Sequence, residues 1–242
     1  MNSKAVSASE GGIKSIFFWL KVSRPGLWFA TVWLYLLPTS GMDIWQSSSF
    51  WLGFVYVTFP LNFLVYGWND IVDHSIDAVN PRKDNYWFGA KGSQRELAQL
   101  WKVIFLVQVL FFPWLIWLEG WPMLLLLLGL LSINAIYNLP EKGLRSQPPW
   151  ELLCQVGYLL VAPFSCLLND TAALPWFTYL YLLLFAFQSH LIGEVMDIEP
   201  DRKSGRRTTA TILGVKKTKL IIIGIVGTEV LLLFTIFNDY IF

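Results

Sequence analysis

Charge is scarce in this sequence: Asp, Glu, Lys and Arg make up 14% of its 242 residues, against roughly 25% in an ordinary soluble domain. Cysteine and histidine are scarcer, at two each. Cys154 and Cys166 share one apolar stretch, which excludes a disulfide scaffold or a zinc site and leaves them as small buried hydrophobes. The net charge of +1 excludes the basic excess that nucleic-acid binding needs, so no nucleic-acid partner is expected. The polar start, residues 1–12, is not followed by a short apolar run with a small-residue cleavage site, so no cleaved signal peptide is expected. No protein partner can be inferred from the sequence.

What is present in excess is apolar surface. Hydrophobic residues make up 55% of the chain, with thirteen Trp and eighteen Phe. The mean hydropathy is +0.51. A soluble fold of this length cannot bury that much, so the expected class is an all-α, polytopic helix bundle whose main partner is the lipid bilayer. A spanning helix needs about 20 mostly apolar residues. Seven stretches qualify: 27–38 (extending back toward Phe17), 50–68, 103–118, 122–137, 152–168, 176–192 and 220–237. Residues 1–23 read as a cytoplasmic or interfacial segment and 24–242 as one transmembrane domain.

The linkers alternate. Those after the first, third and fifth stretches are short, carry Asp43, Glu119 and Asp170, and lack Lys and Arg. All eighteen Lys and Arg fall on the other side. By the positive-inside rule that side is cytoplasmic, with the N-terminus inside and residues 238–242 outside, as for a cell inner membrane if the source is bacterial. Most Trp lie near span ends, as an interfacial belt would.

Two acidic clusters repeat. Asn69-Asp70-Ile71-Val72-Asp73-His74-Ser75-Ile76-Asp77 closes the second stretch, and Glu194-Val195-Met196-Asp197-Ile198-Glu199-Pro200-Asp201 follows the sixth. Both place acids at i, i+3 and i+7, within about 60° on one helix face. Bases follow each, Arg82-Lys83 and Arg202-Lys203. Both clusters sit at cytoplasmic ends of even-numbered spans, so they can face one cavity. Six carboxylates brought together repel, and burial worsens this. Hard divalent cations relieve it, and Mg²⁺ binds through one or two carboxylates, waters and substrate phosphates. The expectation is two acidic walls holding metal ions at Asp70, Asp73, Asp77, Glu194, Asp197 and Asp201, with a diphosphate on the metals and basic side chains completing the anion clamp.

These residues resemble the UbiA superfamily of intramembrane prenyltransferases, with their N-D-x-x-D-x-x-x-D and D-x-x-x-D motifs. The first is intact from Asn69 to Asp77; the second runs from Asp197 to Asp201, extended by Arg202-Lys203-Ser204-Gly205 and Thr208-Thr209. Arg24-Pro25, and Tyr137-Asn138-Leu139-Pro140 with Lys142 and Arg145, also look like family positions. The resemblance implies a Mg²⁺-dependent transfer of a prenyl group from a prenyl diphosphate to a hydrophobic acceptor. Asp70, Asp73, Asp197, Asp201, Asn69 and Tyr137 would be catalytic. Arg24, Arg82, Lys83, Lys142, Arg145, Arg202 and Lys203 would contact the diphosphate. Tyr66, Trp68, Tyr137, Tyr158 and Phe187 are candidate cavity aromatics, and His74 or His190 a general base.

Two features depart from the family pattern. Glu194 stands where many relatives have Asp, and seven spans replace the usual nine, as if the last two were lacking. The stretches 66–70, 77–83, 137–140 and 148–153 look most like the lycopene elongase branch, which adds a C5 unit to a carotenoid end; aromatic, quinone-precursor and chlorophyllide-like acceptors stay open. The alternatives are a cation-coupled transporter and an inactive shortened homologue. Acids at helix ends with basic neighbours favour a phosphate-bearing substrate over the midplane ion sites of transporters.

Overall fold

The computed structural model describes residues 16–140 and 142–236. The readings made for residues 1–12 and 238–242 lie outside them. Among the described residues the structure is helical, with one isolated β-bridge between Asn85 and Gly89. Five helices are long and apolar enough to cross a membrane: Ser48–Val72, Gln94–Asn138, Trp150–Leu168, Trp176–Lys203 and Thr209–Thr235. The chain is a multi-pass membrane protein. Large apolar side chains stand exposed along these helices, among them Phe105, Leu110, Trp117 and Leu231, the side chains that hydrocarbon would cover.

The count of seven expected spans differs from five at two places. Residues 103–118 and 122–137 fall within Gln94–Asn138, whose 45 residues are interrupted at Gly120 (φ 66°, ψ −147°). At 1.5 Å per residue, an unbroken helix of that length would be about twice the hydrocarbon thickness. The first expected span is not one helix. Helical residues 16–22 stop before Arg24, which is left-handed (φ 52°). A 3₁₀ turn, Pro25–Leu27, leads into the helix Trp28–Leu36, and a second 3₁₀ turn, Leu37–Thr39, closes it.

The chain forms two compact units, residues 1–33 with 44–120 and residues 34–43 with 121–242. In the first, Ser48–Thr58 and Pro60–Val72 meet at Phe59, because Pro60 has no N–H to continue the ladder. Side chains satisfy the backbone carbonyls freed there. Asn62 Nδ2 donates to Val57 O and Thr58 O (2.8 Å each), Thr31 Oγ1 donates to Val57 O (2.8 Å), and Gln108 Nε2 donates to Pro60 O (3.0 Å). Without water in the bilayer core, such donors are what make a broken span tolerable.

In the second unit, Trp176–Lys203 packs along Thr209–Thr235 and against the segment from Trp150 to Leu159, and Thr209 bonds Glu151 of that segment. Ser165 Oγ donates to Tyr35 O (2.5 Å) and Asn169 Nδ2 to the Tyr35 hydroxyl (3.3 Å), tying residue 35 to the Val161–Leu168 helix. Arg202 and Lys203 occupy the last turn of Trp176–Lys203, where cations complement the helix dipole.

Candidate active site

The first acidic motif straddles a helix break. Pro60–Val72 ends at Asp73 (φ −89°, ψ 9°), and His74–Val79 begins immediately after. Asp77 N still donates to Asp73 O (2.8 Å), so the helical spacing nearly survives. Asp70, Asp73 and Asp77 are all buried. Lys83 Nζ lies 2.6 Å from Asp70 Oδ1 and 2.7 Å from Asp77 Oδ2, so one lysine bridges those two carboxylates. Arg24 Nη2 donates to the same Asp70 oxygen (2.8 Å), with its guanidinium 4.4 Å from the Tyr66 ring centroid. Asp73 turns elsewhere and accepts from Asn69 Nδ2 (3.0 Å).

The loop 80–93 is shaped to deliver Lys83. Arg82 N donates to Asn80 Oδ1 (3.0 Å), and Asn85 Oδ1 accepts from Trp87 N (2.9 Å) and Phe88 N (3.0 Å), pinning the turn. Gly89 (φ 91°) passes directly over the ion cluster; a Cβ there would stand 3.0 Å from Asp70 Oδ2 and 3.1 Å from Arg24 Nε. Only glycine supplies both the left-handed backbone and the clearance. Arg82, by contrast, lays its guanidinium over Phe88, 4.0 Å from the ring centroid.

Beside these groups lies a cavity of about 220 Å³, whose walls include Asp70, His74, Asp77, Ala90, Lys91 and Leu97. Burial, together with the Asp70 charge, outweighs the attraction of Lys83 and raises the Asp77 carboxyl to about 6. Burial by itself would lower the Arg24 pKa; the neighbouring Asp70 charge reverses that and raises it.

The second motif is built differently. Glu194 is buried and accepts from Ala210 N (2.9 Å), with His190 Nε2 3.2 Å from its other oxygen one turn back. Asp201 is buried at the end of the same helix and Asp197 is half-buried. Gly205 (φ 75°) turns the chain so that Arg206 N donates to Asp201 O (2.9 Å) and Arg206 Nη1 comes within 3.9 Å of Asp201 Oδ1. Arg206 Nη2 also donates to Arg145 O (3.4 Å). Burial, then the Arg206 charge, lowers the Arg145 guanidinium to about 10, so it stays charged at neutral pH. Tyr137 stands edge-on to His190, with centroids 6.3 Å apart.

The bases expected beside the second motif lie at different depths. Lys142, Arg202 and Lys203 are exposed; Arg202 Nη2 donates to Thr211 O (3.3 Å). A base that meets the second motif is Arg206, which adjacency in sequence does not reveal and the Gly205 turn does. Motif spacing does not point to Glu151, which is fully buried and accepts from Thr209 N (2.7 Å) and Thr209 Oγ1 (2.6 Å). An acid beside Pro148-Pro149 in an otherwise apolar stretch was the available signal.

Among the described residues, no three His, Cys, Asp or Glu side chains form a ready metal cage. Mg²⁺ in general takes few protein ligands and keeps waters and phosphates. Asp70 Oδ2 is buried without a hydrogen-bond partner, so the first motif has an oxygen to offer such an ion.

An all-helical membrane fold with paired acidic motifs defines a class, and comparison with known proteins identifies it. The chain belongs to the UbiA prenyltransferase family, whose sequence model matches residues 27–242. It is similar to a lycopene elongase/hydratase of Corynebacterium glutamicum, 28% identical over 80% of this chain and 68% of that protein. A lycopene elongase/hydratase of Haloarcula japonica is 30% identical over 68% of this chain and 55% of that protein. The fold matches a UbiA homologue from Archaeoglobus fulgidus, solved bound to DMAPP and Mg²⁺, with TM-score 0.73 and 18% identity over 92% of this chain and 78% of that one. The same homologue bound to GPP and Mg²⁺ gives a TM-score of 0.69.

Proposed function

We propose that this family member uses Mg²⁺ to move a prenyl group from a prenyl diphosphate to a carotenoid end such as that of lycopene. The carrying observation is the buried group Asp70, Asp77, Arg24 and Lys83 beside a cavity. The acceptor class rests on the likeness to the two lycopene elongase/hydratases.

In this reading, each motif would hold Mg²⁺ by its own carboxylates, Asp70, Asp73 and Asp77 in the first unit and Asp197, Asp201 and Glu194 in the second. Bound there, the ion supplies Lewis-acid stabilisation of charge on the diphosphate oxygens. The remaining chemistry falls to the protein. Transfer breaks the allylic C–O bond, leaving an allylic cation and diphosphate. Arg24 and Lys83 are cations aimed into the acidic group and can follow the charge onto the leaving oxygens. The ring of Tyr66, already under a guanidinium, presents a face that favours positive charge, with a gain of roughly 0.5–2 kcal/mol. The cation has to be kept from water until an acceptor carbon attacks. His74, on the cavity wall, has ring nitrogens that can take the proton a carbon acceptor gives up.

The test is binding of dimethylallyl and geranylgeranyl diphosphate to the detergent-solubilised chain, with Mg²⁺ and with EDTA. Binding that requires Mg²⁺ is the expected result; a folded chain that binds neither overturns the reading. Incubation with lycopene should then add C5 units, read by mass, and transfer only to aromatic acceptors would reassign the acceptor class.

Sidedness belongs to the same proposal, with the acidic motifs and the N-terminus cytoplasmic. Asp43→Cys and Asp170→Cys, in a chain whose Cys154 and Cys166 are replaced by Ser, should label from outside intact cells with an impermeant thiol reagent. Labelling that needs broken membranes reverses the orientation.

A further inference from the structure

The amide end of the Thr209–Thr235 helix is fully accounted for by side chains. The first N–H groups of a helix have no intrahelical partner. Here Thr208 and Thr211 satisfy each other, with Thr211 N donating to Thr208 Oγ1 (3.2 Å) and Thr208 N to Thr211 Oγ1 (2.7 Å). The two donors between them go to carboxylates. Thr209 N donates to Glu151 Oε1 (2.7 Å), which also accepts from Thr209 Oγ1 (2.6 Å), and Ala210 N donates to Glu194 Oε2 (2.9 Å). Glu151 is 0% exposed. A buried carboxylate is costly unless hydrogen-bonded, and the positive end of a helix is where the cost is best offset.

The fastening lies three residues from Arg206. The segment between Asp201 and Thr209 is therefore held at both ends: by the Asp201 carbonyl, which accepts from Arg206 N (2.9 Å), and by Glu151 at Thr209. Between them the Gly205 turn sets where the Arg206 guanidinium lies, 3.9 Å from Asp201 and donating to Arg145 O. We propose that Glu151 is a positioning residue of the second acidic motif, fixing the 204–208 turn so that Arg206 meets Asp201. Glu194 shares the task at Ala210, whose N–H it accepts. This assignment rests on the prenyltransferase reading for its functional consequence, but the fastening itself does not.

Hydrogen–deuterium exchange of the detergent-solubilised chain reads the fastening directly, and prenyl-diphosphate binding in Mg²⁺ reads its consequence. Glu151→Ala should speed exchange of the Thr209 amide by about fivefold, the loss expected for one hydrogen bond, and weaken diphosphate binding by a similar factor. Glu151→Gln keeps the acceptor oxygen and should restore both. If Glu151→Ala does not fold, Thr209→Val removes the hydroxyl donor alone and should speed the same amide severalfold. An amide as slow in these variants as in the wild type overturns the fastening. A freed amide with unchanged diphosphate binding overturns the positioning role. A wild-type chain that binds no diphosphate sinks the prenyltransferase reading instead, and the exchange result still decides the fastening.

Discussion

Asp70→Asn should cut prenyl transfer by at least about 10²–10³-fold, the scale for removing one preorganised electrostatic group from a reaction centre. Asp70 is where the first motif converges. One oxygen receives both Arg24 and Lys83, at 2.8 and 2.6 Å, and the other is buried without a hydrogen-bond partner beside Gly89. Asn keeps the shape and removes the charge. It therefore weakens any divalent cation held there and leaves two cations facing the single charge of Asp77. Asp197→Asn should produce a comparable loss through the second motif. Turnover, Mg²⁺-dependent diphosphate binding and melting temperature would be measured together for both variants. Near-normal turnover in both removes the metal-site assignment. Loss of turnover with a strongly lowered melting temperature would mean that the charge serves folding first.

Lys83→Met is expected to give the largest stability loss in the first unit. The Lys83 side chain is 6% exposed and bridges Asp70 and Asp77. Removing one member of a buried ion group leaves uncompensated charge and costs about 3–5 kcal/mol. The loss should depend on pH, with a definite sign. Asp77 already has its carboxyl raised to about 6 by burial, from an ordinary value near 4. An acid whose folded pKa is raised binds more protons folded than unfolded, so its contribution favours folding at low pH and is lost as pH rises through the folded pKa. Without Lys83 the carboxyl moves higher still. The melting-temperature gap between variant and wild type should therefore be small at pH 5 and wide at pH 8. A gap that widens toward acid pH contradicts the pairing seen here.

Much of this site is readable along the chain because its carboxylates are local to single helices. Asp70, Asp73 and Asp77 are spaced by helical turns. Even with the break at Asp73, the one-turn separations bring Asp70 and Asp77 to one lysine. The pairing of Glu194 with His190 is likewise an i, i+4 contact within one helix. The basic partners are less readable. Arg24 reaches Asp70 across 46 residues, and a loop pinned by Asn80 and Asn85 carries Lys83 to Asp70 and Asp77. Arg202 and Lys203, next to the second motif in sequence, continue the helix and point outward, while Arg206 returns after the Gly205 turn. The span count is approximate for a related reason. Hydropathy registers an apolar run whether or not the backbone stays helical, so it misses the stop before Arg24.

Composition and motif spacing alone are enough to establish a polytopic helical membrane protein with two acidic motifs, and to point to its family. Hydrophobic excess and the i, i+3, i+7 pattern act through local periodicity, which a linear chain carries in full. Folding alone decides which bases meet which acids, and that Glu151 of the 150–155 turn holds the amide end of a helix starting 58 residues later. Such contacts depend on loop geometry and on the demand that every buried polar group find a partner, and no linear spacing records either.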